Sequence, residues 1–531
     1  MAAIDDKDVE MTGYGVVELN GEVSSGDSRD GGNRDDQEMA YYGKKQQLKR
    51  NFGFLSIAGF VCSLLSTWEG MFAVFLFGFQ NGGPAGLVYG YIFCWIGTLA
   101  TVASLAEMAS MMPLSGGQYH WVSILAPARW AKFLSYITGW LTVIGWQAGQ
   151  ASVAFIAASM IQGIAIQNYP NYVPTRWQGT LIFYAVIAFI VFINTFLARW
   201  LPKIEGLILC LHIMGFFGIL IPLVYLAPHG TASDVFATFI NGGGWATDGT
   251  SFFVGLITSV FSFLGADSAC HMSEEIHNAS TVVPRVMLTS IMLNGVMGFA
   301  LLITLLFCLG DVNSALQSPT GFPFIEVFVQ ATNSNGGATA MTAIIIVLMG
   351  AAAIGIMATA SRLLWSFARD NGVPGSKYIS RVHTGTALPL YSILVSTIIS
   401  LLLALINIGS TAAFNAIMSV NVAAFFVSYI IPISLLLHKR LRKDPVKDNI
   451  HWGPWHMGSV LGPIVNITGL IYTLITLFFS FWPSTAVVTP VTMNWSCLLF
   501  GGSLIFSVVF YMVWGKHSYK WPIVDPGRRS L

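Results

Sequence analysis

Long apolar runs, each about 20 residues and separated by short polar links, repeat along this chain from residue 54 to residue 514. Within a run the apolar positions are continuous and do not alternate with period two, so the pattern predicts helices and excludes the strands of a barrel. Each run can cross ~30 Å of hydrocarbon as a helix. Twelve spans are predicted, near 54–79, 84–111, 134–163, 179–198, 204–227 and 251–275, then 286–310, 341–366, 388–407, 412–437, 459–482 and 495–514. The expected fold class is an all-α polytopic membrane protein.

Composition agrees with that pattern. Of the 531 residues 54% are hydrophobic and 10% charged, against ~25% charged in soluble domains. Residues 1–50 are polar and rich in Gly and Asp, without the basic start and apolar core of a signal peptide. They are expected to be a disordered cytosolic tail, with 516–531 as a second cytosolic tail. On that topology all 26 Lys and Arg residues except Arg176 fall on the inner side, as the positive-inside rule requires for an even number of spans in a plasma-membrane protein. The net charge of +1 therefore reports membrane asymmetry and gives no reason to expect nucleic acid. The six cysteines fall in or at the ends of spans without metal-like spacing, and are expected to be buried apolar residues. No Gly-x-Ser-x-Gly elbow, phosphate-binding glycine loop or His-x-x-x-His pair occurs, so no enzyme, ATP-driven pump, cofactor or metal is expected.

Two runs are interrupted. Ser66-Thr67-Trp68-Glu69-Gly70 breaks span 1, and Ser262-Phe263-Leu264-Gly265-Ala266-Asp267 breaks span 6. Each joins a helix-breaking glycine to hydroxyl side chains and one acid. The breaks open consecutive five-span blocks, 54–227 and 251–437, leaving 459–514 as two extra helices. Matched interruptions in two halves point to an inverted-repeat transporter whose binding site lies near the midplane.

Three stretches are similar to known sequences. NGGPAGLVYGYIFCWIGTLATVASLAEMASMMPLSGGQYHW (81–121), SFLGADSACHMSEEIHNASTVVPR (262–285) and ATASRLLWSFARDNGVP (358–374) resemble the amino acid–polyamine–organocation permeases. The Trp-Glu of span 1, the His-Met before the paired glutamates and the Gly-Trp of span 3 resemble the fungal amino acid/choline transporter branch, which includes permeases for choline and for γ-aminobutyrate. The resemblance spans about residues 50–515. It implies a five-plus-five inverted repeat, alternating access, no ATP hydrolysis and a small amine or amino acid as substrate.

The site candidates follow. Amino acid permeases usually carry Gly-Ser/Thr-Gly in the first break, where amides hold a carboxylate; here Trp68 and Glu69 replace part of it. A cation suits that pair, since aromatic faces beside a carboxylate recognise quaternary ammonium. The alternative is that Glu69 only holds the break open. Ser66, Thr67 and Gly70 complete the break. Phe263 is expected as the aromatic gate and Asp267 as the acid beside it. Trp146 and Gln147 lie mid-span 3, Ser361 in span 8, Asn415 and Asn421 in span 10. These polar residues line the site or bridge helices. His212 falls where proton-coupled relatives carry a lysine, so it is expected to relay a co-transported proton or to bond a carbonyl. Glu107, Glu274 and Glu275 lie near Arg129, Arg285 and Arg362, and the resemblance implies an inner gate of ion pairs; topology anchoring is the competing role. A choline-like import function leads, with a γ-aminobutyrate or amino acid permease next and a permease-like nutrient sensor as the other class.

Overall fold

The computed structural model describes residues 30–409, 411–442, 450–490 and 492–520. Eleven helices among them are long and apolar enough to cross a membrane. They are span 1 (Phe54–Ala73), span 2 (Gly83–Met111), span 3 (Ala128–Asn168), span 4 (Arg176–Phe196) and span 5 (Ala198–Leu226). After them come span 7 (Ala279–Phe307), span 8 (Asn335–Arg369), span 9 (Leu390–Gly409), span 10 (Thr411–Arg442), span 11 (Gly458–Ser480) and span 12 (Ser496–Ser518). The twelfth pass, span 6, is a run of short helices, Asp248–Gly255, Ile257–Ser262 and Ser268–His271. The described residues form an all-α fold without strands, in two five-span blocks that each open on a broken helix.

Both breaks have a local cause. Ser66 takes φ 42°, a left-handed conformation, and its hydroxyl donates to the Ser63 carbonyl at 2.6 Å. That bond offers the backbone an alternative to the helical ladder. Gly265 takes φ 105°, a region open essentially to glycine alone. The broken helices lie side by side: Thr258 Oγ1 donates to the Val74 carbonyl at 2.7 Å and accepts from the Gly78 amide at 2.8 Å. Small residues bring the spans close. A Cβ at Gly298 would stand 2.2 Å from the Tyr91 hydroxyl, so span 7 meets span 2 there only without a side chain.

Two expectations need correction. The N-terminal segment is not a free tail up to residue 50: Asp30–Tyr41 is a helix that docks on the body. Its Asp35 carboxylate accepts the Asn278 and Ala279 amides at 2.8 and 3.1 Å, satisfying donors that the start of span 7 leaves open. Tyr42 donates to the Met111 carbonyl at 2.7 Å. At the other terminus Tyr519 is buried and hydrogen-bonds the Ser135 hydroxyl at 2.7 Å. Both terminal segments therefore sit on one side, the tail face; residues 1–29 and 521–531 lie outside the described residues. Second, Cys210 and Cys497 are exposed rather than buried, because they fall on outward helix faces.

Candidate functional site

Between the two breaks lies a cavity of about 40 Å³. Span 1 contributes Ser66 and Gly70, span 3 Trp146, span 6 Phe261 and Gly265, and span 10 Asn421 and Phe425. The volume suits about one water and lies far below the ~300 Å³ at which ligand pockets begin; the walls are drawn together. A second cavity, of about 290 Å³, opens away from the tail face and is lined by Phe77, Asn81, Trp482 and Asn494 among others. Phe261 lines both, so its ring is the partition between them.

On the tail face, charged pairs shut the bundle. Arg362 Nε donates to Glu275 at 2.7 Å, and Arg369 binds both oxygens of Glu274 at 2.9 and 2.7 Å. Arg440 bonds Glu107, which also accepts the Met457 amide at 2.8 Å. Beyond span 8, Asp370 bonds Lys44 and accepts from Tyr119 at 3.0 Å and from His120 Nε2 at 2.7 Å. Burial lowers the His120 imidazole to about 4, so it is neutral and donates. Burial alone would raise the Asp370 carboxyl, but Lys44, His120 and Arg369 hold it well below the usual carboxylate range.

The residues singled out in the sequence divide sharply. Ser66, Gly70, Trp146 and Asn421 line the central cavity. Trp68 and Glu69 do not: both turn away toward span 5, where Glu69 Oε1 lies 2.7 Å from His212 Nδ1 and the Trp68 ring 5.6 Å from the imidazole. All three are fully buried, as is Thr67. Gln147 donates to Ser396 at 2.8 Å, so it bridges spans 3 and 9. Ser361 caps the Ala358 carbonyl and accepts from Arg362, within the closure rather than the cavity. Phe263 packs on Tyr91 at 4.9 Å, away from the cavity, and Phe261 stands where the gate was expected. Phe261, in the short helix ending at Ser262, and Phe263, just past its end, point to different neighbours. Asp267 accepts from Gln118 at 2.6 Å and from Tyr429 at 2.7 Å. Of the expected gate residues, Glu275 pairs with Arg362, one of the expected basic residues, whereas Glu107 and Glu274 pair with Arg440 and Arg369. Arg129 lies instead against the Trp130 ring at 5.3 Å, and Arg285 is exposed at the start of span 7. The side chain of Asn415 is outside the described residues.

Two facing broken helices hold a small central cavity, partitioned by Phe261 from a larger one on one side and shut off by charged pairs on the other, an arrangement that suits a carrier. The amino acid permease profile matches residues 52–503 of this chain. The chain belongs to the amino acid permease family. It is 32% identical over 475 residues to the choline transporter of Saccharomyces cerevisiae, covering 89% of this chain and 83% of that one. It is 28% identical to amino-acid permease 2 of Neurospora crassa, covering 98% and 95%. A protein of Macrophomina phaseolina named as a candidate amino acid/polyamine transporter is 33% identical over 441 residues, covering 82% and 96%. This permease is accordingly a multi-pass membrane transporter of the amino acid/choline permease type.

Sequence reasoning missed Phe261, Phe425, Tyr429, His271, Arg369 and Arg440. His271 carried a usable signal, since it stands four residues after Asp267 and such positions share a helix face. Arg440 sits in a basic run that reads only as membrane anchoring.

Proposed function

We propose that this permease imports a small amine by alternating access, that a choline-like quaternary ammonium is its substrate, and that its tail face is cytosolic at the plasma membrane. One observation carries the reading: the central cavity is walled by the rings of Trp146, Phe261 and Phe425, with Asn421 as its amide and no basic side chain on the lining. Such a wall suits a cation that cannot donate hydrogen bonds, because ring faces attract positive charge without requiring a donor. A free carboxylate would meet no basic side chain there. The relationship to a yeast choline transporter supports the same choice. The cation site is thus moved from Trp68 and Glu69 to the three rings.

Glu69 and His212 take the coupling role in this reading. A carboxylate beside a neutral imidazole would leave a net charge buried at bilayer depth, which an added proton on the pair would remove. Releasing and regaining that proton beside the first break would couple the break's geometry to the proton gradient. The second reading, a permease for γ-aminobutyrate or another amino acid, draws on the Neurospora relative. It would place the substrate carboxylate on the backbone around Ser66 and Gly265.

Uptake of labelled choline and labelled γ-aminobutyrate by cells lacking their own permeases tests the choice. Wild type should accumulate choline. Trp146→Leu should raise the apparent Km for choline about 30-fold, the equivalent of ~2 kcal/mol for a desolvated cation–ring contact. Accumulation of γ-aminobutyrate alone would overturn the cation reading, and absence of any accumulation would leave a sensor.

A further inference from the structure

Span 6 carries a second histidine–carboxylate pair, nearer the tail face. His271 Nε2 lies 3.4 Å from Asp267 Oδ2, while its Nδ1 lies 2.9 Å from the Ser115 carbonyl oxygen. A carbonyl only accepts, so Nδ1 carries a hydrogen in every protonation state. A second proton on the pair would lie on Nε2 or on Asp267. Asp267 already has a donor at each oxygen, Gln118 Nε2 and the Tyr429 hydroxyl, which favours the carboxylate. Both groups are buried, where a carboxylate held only by neutral donors is costly. Nε2 has no hydrogen-bond partner, so a proton added there would face Asp267 Oδ2 across that 3.4 Å gap.

Its surroundings link the cavity to the closure. Trp146, a cavity wall, stands edge-on to the His271 ring at 5.6 Å, and Phe425, another wall, stacks on Tyr429 at 5.9 Å. On the other side, Ser115 also meets Glu274 through its amide at 3.4 Å. The charged groups on the neighbouring elements are spoken for or remote. Arg362 and Arg369 of span 8 are bound to Glu275 and Glu274, Arg285 of span 7 is exposed, and the first helix of span 1 carries no charge. Cys270, between the pair, is buried against Met287. Trp146, Gln118, Tyr429 and the Ser115 turn thus meet at one titratable pair.

We propose that Asp267 and His271 form a proton-binding latch: His271 is protonated while the tail face is shut and gives up its proton as that face opens. In the step, the Nε2–H bond of the imidazolium breaks and the proton passes to water admitted from the tail face. The neutral ring keeps Nδ1–H on Ser115, and the Asp267 carboxylate keeps Gln118 and Tyr429. Acid on the tail side therefore holds that face closed. This rests on the alternating-access reading, but its readout needs no identified solute.

The test uses native Cys270 in full-length permease reconstituted in lipid, alkylated with N-ethylmaleimide from about pH 5.5 to about pH 8.5 and mapped by mass spectrometry, across the ordinary histidine range. His271→Gln keeps a donor for Ser115 without the charge. An imidazolium beside Cys270 would itself favour the thiolate and so speed wild type at acid pH, so slower labelling of wild type there cannot come from that field. At the acid end His271→Gln should label about tenfold faster than wild type, the two converging at the alkaline end as the imidazolium is lost. A ratio constant with pH overturns the latch. If His271→Gln does not fold, the neutral pair Asp267→Asn/His271→Gln serves in its place. Wild type alone gives a further check: Cys270 must gain reactivity with pH more steeply than buried Cys94, and equal slopes overturn the proposal. Failure of both choline and γ-aminobutyrate uptake with the labelling contrast intact would remove those two substrates and keep the latch.

Discussion

Removing Arg362 should open the tail face. The guanidinium and the Glu275 carboxylate meet at 2.7 Å, and the two residues are only 1% and 6% exposed. Water therefore cannot replace the lost partner unless the face parts. In Arg362→Met the carboxylate is left buried and uncompensated, which costs about 3–5 kcal/mol in comparable sites. Two conformations of a carrier typically differ by only a few kcal/mol. Such a cost multiplies the open-to-closed ratio by about 10² to about 4 × 10³, at a factor of ten per ~1.4 kcal/mol. The pair's neutral replacement, Glu275→Gln/Arg362→Met, removes the stranded charge and should restore closure to within about 1–2 kcal/mol, since a buried pair is often worth little net. The assay is the alkylation rate of Cys270 at one fixed pH, with melting of the full-length protein as a folding control. Labelling of Arg362→Met within twofold of wild type would refute the reasoning. So would a double variant as reactive as the single, because the effect would then be lost packing rather than an unpaired charge.

Three further outcomes follow from other parts of the molecule. His120 is held neutral by burial, at about 4 against an ordinary 6.5, so its unfolded form binds a proton first as pH falls. Its contribution is complete above the ordinary value and is lost between about 6.5 and 4, up to ~3 kcal/mol at 1.36 per unit; Tm should fall over that window in wild type and less in His120→Gln. Phe261→Ala should join the two cavities it now separates, and an impermeant thiol reagent applied opposite the tail face should label Ser66→Cys at least ~tenfold faster than in the Phe261 background, reflecting loss of the aromatic partition; an unchanged rate would place the partition elsewhere. A Cβ at Gly255 would lie 1.6 Å from the Asn81 carbonyl oxygen, so Gly255→Ala should destabilise by ~1–3 kcal/mol or more in thermal unfolding, and an unchanged Tm would contradict the packing between span 6 and that turn.

The spans, both breaks and the family were legible because each depends on residue type along the chain. A 20-residue apolar run, a glycine with a hydroxyl neighbour, or a lone acid announces itself without knowledge of what lies opposite. Direction was not legible. Trp68 and Glu69 stand in the break as expected, yet a left-handed residue at Ser66 re-aims the helix that follows, and both side chains point to span 5. The same holds two residues apart in span 6, where Phe261 faces the cavities and Phe263 faces Tyr91. Partner choice at the tail face failed for a related reason. Glu107 pairs with Arg440, 333 positions away, and proximity in sequence or at a shared span end says nothing of that.

The misdirection has a functional consequence. Had Glu69 faced the cavity, one carboxylate would have had to bind the cation and answer to the proton at once. On the proposed reading the two tasks are separate. Three rings and an amide face the cavity, while each break keeps its carboxylate on a histidine outside the lining: Glu69 on His212, Asp267 on His271. A charged solute moving between the breaks then changes the field at both pairs without displacing either proton by direct contact. Coupling in such an arrangement acts through the geometry of the breaks, so substituting a ring should change affinity and leave the pH profile in place. Substituting a histidine should do the reverse.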